Sequence, residues 1–196
     1  MRAFVALDLP DDMADALDRL QDKLTVGRHV PADDFHLTLA FLGDTTPDTL
    51  EELHHRLDMM TWPVLSLAVT GIDIFGTANP RALYARIDGG APLSALQKRI
   101  ETFARAAGID LPRRRFVPHV TLARFSNTMP EDQMAKVGRF LSAHGDWTMP
   151  PFAPPSLTLY RSHLSEGGPI YEALERYGPA GPLGDQGQVG HVHWME

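Results

Sequence analysis

Cysteine is absent from the 196-residue chain. That excludes a disulfide scaffold, a thiolate nucleophile, zinc fingers and iron–sulfur ligation. No apolar run approaches the ~18 residues a membrane span requires. The first ten residues are too short and too acidic to read as a secretory leader. Positive charge is scarce: 18 Lys and Arg stand against 25 Asp and Glu, a net charge of −7. Extended wrapping of duplex DNA is therefore not expected, whereas a local cation cluster for one or two phosphates is compatible with this balance. What remains is ordinary for a soluble globular protein, with 43% apolar and 22% charged residues. A chain of this length buries roughly 70% of its unfolded surface and needs neither disulfide nor metal to hold a core. Cysteine-free usage is what a cytoplasmic enzyme is expected to show.

Periodicity predicts strands over residues 3–9, 34–42, 64–75, 82–87 and 117–125, and a closing hairpin of 157–163 with 169–177. Helices are predicted over residues 11–25, 46–59, 92–107 and 130–141. Thr46 suits an N-cap, with Pro47 in the first turn. The order strand, helix, strand, helix, strands recurs, as in an imperfect duplication. Residues 1–177 read as one domain. Residues 178–196 are rich in Gly and Pro and read as a flexible tail, in which His191 and His193 are solvated rather than metal-binding.

Each half carries one segment of the same design: Phe35-His36-Leu37-Thr38-Leu39-Ala40-Phe41-Leu42-Gly43, and Pro118-His119-Val120-Thr121-Leu122-Ala123-Arg124-Phe125. Both read His-x-Thr-x inside an apolar strand. Residues i and i+2 of a strand share a face, so His36 and Thr38 point together, as do His119 and Thr121. One such pair alone would be the wet face of a half-buried strand. Two, in matching strands of a duplicated chain, predict two His-Thr faces meeting across a cleft. Imidazoles titrate near neutral pH, so one can remove a proton while the other delivers one. The hydroxyls can donate to non-bridging oxygens. That set suits in-line displacement at a phosphodiester.

On these motifs the sequence resembles the 2H phosphoesterases, and within them the bacterial RNA 2′,3′-cyclic phosphodiesterases historically called 2′-5′ RNA ligases. The resemblance includes the opening Arg2-Ala3-Phe4-Val5-Ala6-Leu7-Asp8-Leu9-Pro10, Leu159-Tyr160-Arg161-Ser162 and Tyr171. It stops near Tyr177. It implies an α+β fold of two pseudo-symmetric lobes with antiparallel sheets flanking a central cleft. It implies hydrolysis of terminal 2′,3′-cyclic phosphate on RNA to a 2′-phosphate, with reversible 2′-5′ joining in some members and no metal or other cofactor. His36 and His119 become the catalytic pair, with His119 as base on water and His36 as acid toward the ribose 3′-oxygen. Thr38 and Thr121 hold phosphate oxygens.

Arg124, Phe41 and Arg161 are candidate substrate contacts. Regular alternation puts Arg124 opposite the His face, so a bulge or its long side chain must bring it to the cleft. The same alternation directs Phe41 to the core rather than to a base-stacking position. Arg113-Arg114-Arg115 is the one dense basic run and could gather RNA phosphates. His29, His54, His55, His144 and His163 read as surface residues. The expected partner is RNA with a cyclic-phosphate end, with no DNA and no membrane, acted on by a monomer. Two other readings stay open: a 2H enzyme for a small cyclic nucleotide or an ADP-ribose cyclic phosphate, and a non-catalytic RNA-end-binding module.

Overall fold

The computed structural model describes residues 1–165 and 168–179. The elements are β1 (Arg2–Asp8), α1 (Asp11–Gln21), β2 (Arg28–His29), a 3-10 turn at Ala32–Asp34, β3 (His36–Asp44), α2 (Pro47–Asp58), β4 (Leu67–Phe75), β5 (Ala82–Asp88), α3 (Gly90–Ala106), β6 (His119–Arg124), α4 (Glu131–His144), β7 (Met149–Phe152), β8 (Leu157–Ser165) and β9 (Gly168–Tyr177). None of the helices among the described residues is long and apolar enough to cross a membrane. Most of the predicted tail, including His191 and His193, lies outside the described residues.

The strands run in the order β7-β4-β5-β6-β3-β1-β8-β9, with β2 against β6. Every pairing is antiparallel. The expected two sheets are thus four-strand halves mirrored about the β6–β3 junction, where a single pair, Leu37 with Val120, joins them. These are the residues that follow the two motif histidines. The local two-fold relation therefore passes between the motifs.

The lobes are not consecutive halves of the sequence. The C-terminal hairpin β8–β9 returns to β1 and completes the N-terminal lobe, while β4 and β5 join β6. Alternation decides which face each strand buries. Ala3, Val5 and Leu7 of β1 and Leu157 and Leu159 of β8 enter the core. There they join the helix stripes of Met13, Leu17 and Leu20 in α1 and Leu50, Leu53 and Leu57 in α2. Helix α1 ends at Gln21, earlier than the apolar spacing predicts, because the chain must turn to deliver β2 to β6. Thr46 caps α2 by accepting from the Thr49 amide at 3.3 Å.

Candidate active site

The motif strands begin at their histidines. Both imidazoles are anchored identically: Nδ1 of His36 lies 2.7 Å from the Asp34 carbonyl, and Nδ1 of His119 lies 2.7 Å from the Val117 carbonyl. A carbonyl only accepts, so each Nδ1 carries the proton. In the neutral ring each Nε2 then keeps its lone pair. Aromatic neighbours fix the ring planes. His36 stacks on Phe4 at 4.8 Å and meets the edge of Tyr171 at 5.2 Å. His119 meets Phe75 at 4.9 Å and Tyr84 at 5.5 Å.

His36, Thr38, His119 and Thr121 all line one cleft of about 650 Å³. Continuing the Leu37–Val120 register by one residue brings His36 toward Thr121 and Thr38 toward His119. All four side chains are half-buried.

Matching bulges follow the two threonines. In β3, Ala6 pairs with Thr38 and Val5 with Ala40, leaving Leu39 as an extra residue. In β6, Tyr84 pairs with Thr121 and Leu83 with Ala123, leaving Leu122 as the extra residue. An inserted residue shifts the face of everything after it. Both Leu39 and Leu122 are buried, as are the alanines after them. Phe41 and Arg124 consequently turn to the cleft, which both line. For Arg124 this is the bulge that alternation demanded. For Phe41 it overturns the core placement: the ring is 65% exposed, 6.1 Å from Phe4.

Arg161 does not reach the cleft. It sits on β8 in register with Ala3 and so shares the core-side face of Leu157 and Leu159, at the sheet margin, 3.9 Å from Glu172. Tyr160 stacks on Phe4 at 5.0 Å and donates its hydroxyl to Asp8 at 2.6 Å, one layer behind His36. Of the basic run, Arg114 lines the cleft. His54 is less exposed than helix periodicity suggests, because its Nδ1 meets the Tyr177 hydroxyl at 2.9 Å. His163 lies within β8, 2.9 Å from Glu172.

Sequence reading missed Arg2, Asp34 and Ser162, which also line the cleft, and it missed Asp8. The Asp8 carboxylate accepts from Ser156, Thr158 and Tyr160 at 2.5, 2.7 and 2.6 Å. It is the register partner of His36. The corresponding partner of His119 is Arg86. Burial dominates both imidazoles. It pushes His36 down to about 4, against the opposing pull of the Asp34 carbonyl and the Asp8 charge. Burial also lowers His119, with Arg124 adding to the fall. Both shifts favour the neutral imidazoles.

Two bulged strands that present paired His-x-Thr faces to one hollow define a two-histidine phosphoesterase. The chain belongs to the 2′-5′ RNA ligase superfamily, whose model matches residues 9–165. An RNA 2′,3′-cyclic phosphodiesterase of Thermus thermophilus is 30% identical over 94% of this chain and 93% of its own length. One from Aeropyrum pernix is 28% identical over 83% and 94%. One from Geobacillus stearothermophilus is 29% identical over 89% of this chain, which spans only 56% of that relative. Among solved structures, a Thermus thermophilus protein superposes with a TM-score of 0.74 at 27% identity, covering 93% of this chain and 100% of the other. Escherichia coli LigT complexed with 3′-AMP gives 0.71 at 25% identity, covering 92% and 98%.

Proposed function

We propose that this protein hydrolyses terminal 2′,3′-cyclic phosphates of RNA to 2′-phosphates. The observation that carries the reading is one cleft lined by two Nδ1-anchored imidazoles and two threonine hydroxyls. The names of the relatives support the substrate class.

In this reaction a water oxygen attacks phosphorus and the bond from phosphorus to the ribose 3′-oxygen breaks. Nε2 of His119 takes the water proton. Nε2–H of His36 gives its proton to the departing 3′-oxygen. The product is a 2′-phosphate beside a free 3′-hydroxyl. Thr38 and Thr121 donate to the non-bridging oxygens, where charge builds in the transition state. Arg124 adds positive charge, and Phe41 offers a ring to a base.

The division of roles is supported by the flanking charges. Asp8 favours a proton on His36, and the strand partner of His119 is a cation. A bound phosphate anion adds negative charge between the rings and offsets the burial that lowers His36. A ribose 5′-hydroxyl in place of water would form a 2′-5′ linkage through the same steps. The catalytic unit is residues 1–177, acting as a monomer because the cleft is built within one chain; the cytoplasmic location and the lack of a cofactor follow from the family resemblance.

The test is incubation of an oligoribonucleotide bearing a 2′,3′-cyclic phosphate with the protein in EDTA, with assignment of the product isomer. A 2′-phosphate is the expected product. A 3′-phosphate, or no turnover, would contradict the reading. Equal kcat/KM for the oligonucleotide and a mononucleotide cyclic phosphate would instead favour a small-molecule substrate.

A further inference from the structure

Among the described residues only three polar or charged side chains are buried: Gln21, Gln97 and Thr158. Thr158 is accounted for by Asp8. The two glutamines serve the two bulges. Nε2 of Gln97, from α3, donates to the Leu39 carbonyl at 3.4 Å. Nε2 of Gln21, at the end of α1, donates to the Leu122 carbonyl and to the Val30 carbonyl, the latter at 2.8 Å. Leu39 and Leu122 are the extra residues that reverse the facing of β3 and β6. The exchange is reciprocal. Helix α1 follows β1 of one lobe and braces the motif strand of the other, and α3 follows β5 and braces the motif strand of the first.

The Leu122 carbonyl also accepts from the Val30 amide at 2.8 Å, so Gln21 is a second donor there and clasps the Leu122 and Val30 carbonyls together beside the bulge. For a protein that only needed buried polar atoms satisfied, any two sites would serve. Here both amides fall on the residue three positions after each motif histidine. We propose that Gln21 and Gln97 are positioning residues for substrate binding: each amide holds open the bulge that turns Arg124 or Phe41 into the cleft. Without the brace, β6 is no longer held in the bulged register that aims Arg124 into the cleft, and Arg124 loses its fixed position there. His119 and Thr121 precede the bulge and keep their facing. The effect therefore falls on binding rather than on the proton transfers. The claim rests on the phosphodiesterase reading for its substrate.

The test compares Gln21→Met, Arg124→Met and the double variant, all in the full chain. The readouts are kcat and KM on a cyclic-phosphate dinucleotide, Kd for adenosine 2′-phosphate, and thermal stability. Q21M is expected to raise KM and Kd about tenfold with kcat changed less than about threefold, the scale of one lost charge-assisted contact. The double variant should bind no worse than R124M, because both changes remove the same contact. Wild-type KM in Q21M would overturn the proposal. So would a double variant whose loss is the product of the single losses, since a purely structural glutamine acts independently of Arg124. If Q21M does not fold, the parallel cycle of Gln97→Met with Phe41→Ala decides by the same criteria. Failure of both to fold would count against the assignment, because it places the amides in stability rather than in the cleft. H119A separates the two levels: unchanged turnover there removes the proposed reaction, while Kd for adenosine 2′-phosphate still reports the bulge.

Discussion

Each motif histidine donates its Nδ1–H backward to the carbonyl two residues earlier. The pairing of His with Thr at i, i+2 was legible because strand alternation puts those two side chains on one face. The anchor was not, since the accepting atoms are backbone oxygens, which every residue carries. Nor was Asp8, whose three hydroxyl donors come from residues 156–160 at the far end of the chain. Two outcomes belong to this scale. His36 should titrate near 4 in the ligand-free protein, followed by imidazole NMR, and its midpoint should rise when adenosine 2′-phosphate is bound. An unshifted midpoint with ligand would remove the phosphate as the source of its acidity control. The sign for stability follows from the same shift. The folded protein holds the His36 proton less tightly than the unfolded chain, for which 6.5 is the ordinary value. Its contribution is therefore complete above about 6.5 and is lost as the pH falls toward 4. Thermal melts of wild type and H36N over that range should converge on acidification.

At the scale of single elements, β3 and β6 share the same sequence of half-buried, buried, half-buried, buried, buried and exposed positions. An alternating reading fails midway along both, at Leu39 and Leu122. A leucine that forms a bulge looks in sequence like a leucine that does not. This is why Phe41 was directed to the core and Arg124 needed an extra device. The helices were more transparent, because caps and stripes are local. Replacing Thr46 by Ala should lower stability by about 1 kcal/mol through loss of the α2 cap. The turnover of T46A should equal that of wild type. A stability change measured by denaturant titration that is near zero would show the cap to be silent.

Over the whole molecule, duplication was visible in the element order, but the interleaving of the lobes was not. The return of β8 to β1 pairs the two ends of the described chain, for which no local periodicity gives a signal. Surface charge shows the same contrast between global and local. The net charge is −7, yet Arg2, Arg114 and Arg124 gather at the cleft. Affinity for an oligoribonucleotide should therefore fall with salt, and R114A should reduce the slope of log affinity against log salt by about 1. An unchanged slope would take Arg114 away from the nucleic-acid backbone. The proposed chemistry presupposes two imidazoles acting on one phosphorus centre. The most direct measurement is a crystal structure with adenosine 2′-phosphate bound. The account predicts Nε2 of both His36 and His119 within hydrogen-bonding distance of the same phosphate, with both threonine hydroxyls on its oxygens. A phosphate seated against one histidine alone, or outside the cleft between the lobes, would contradict it.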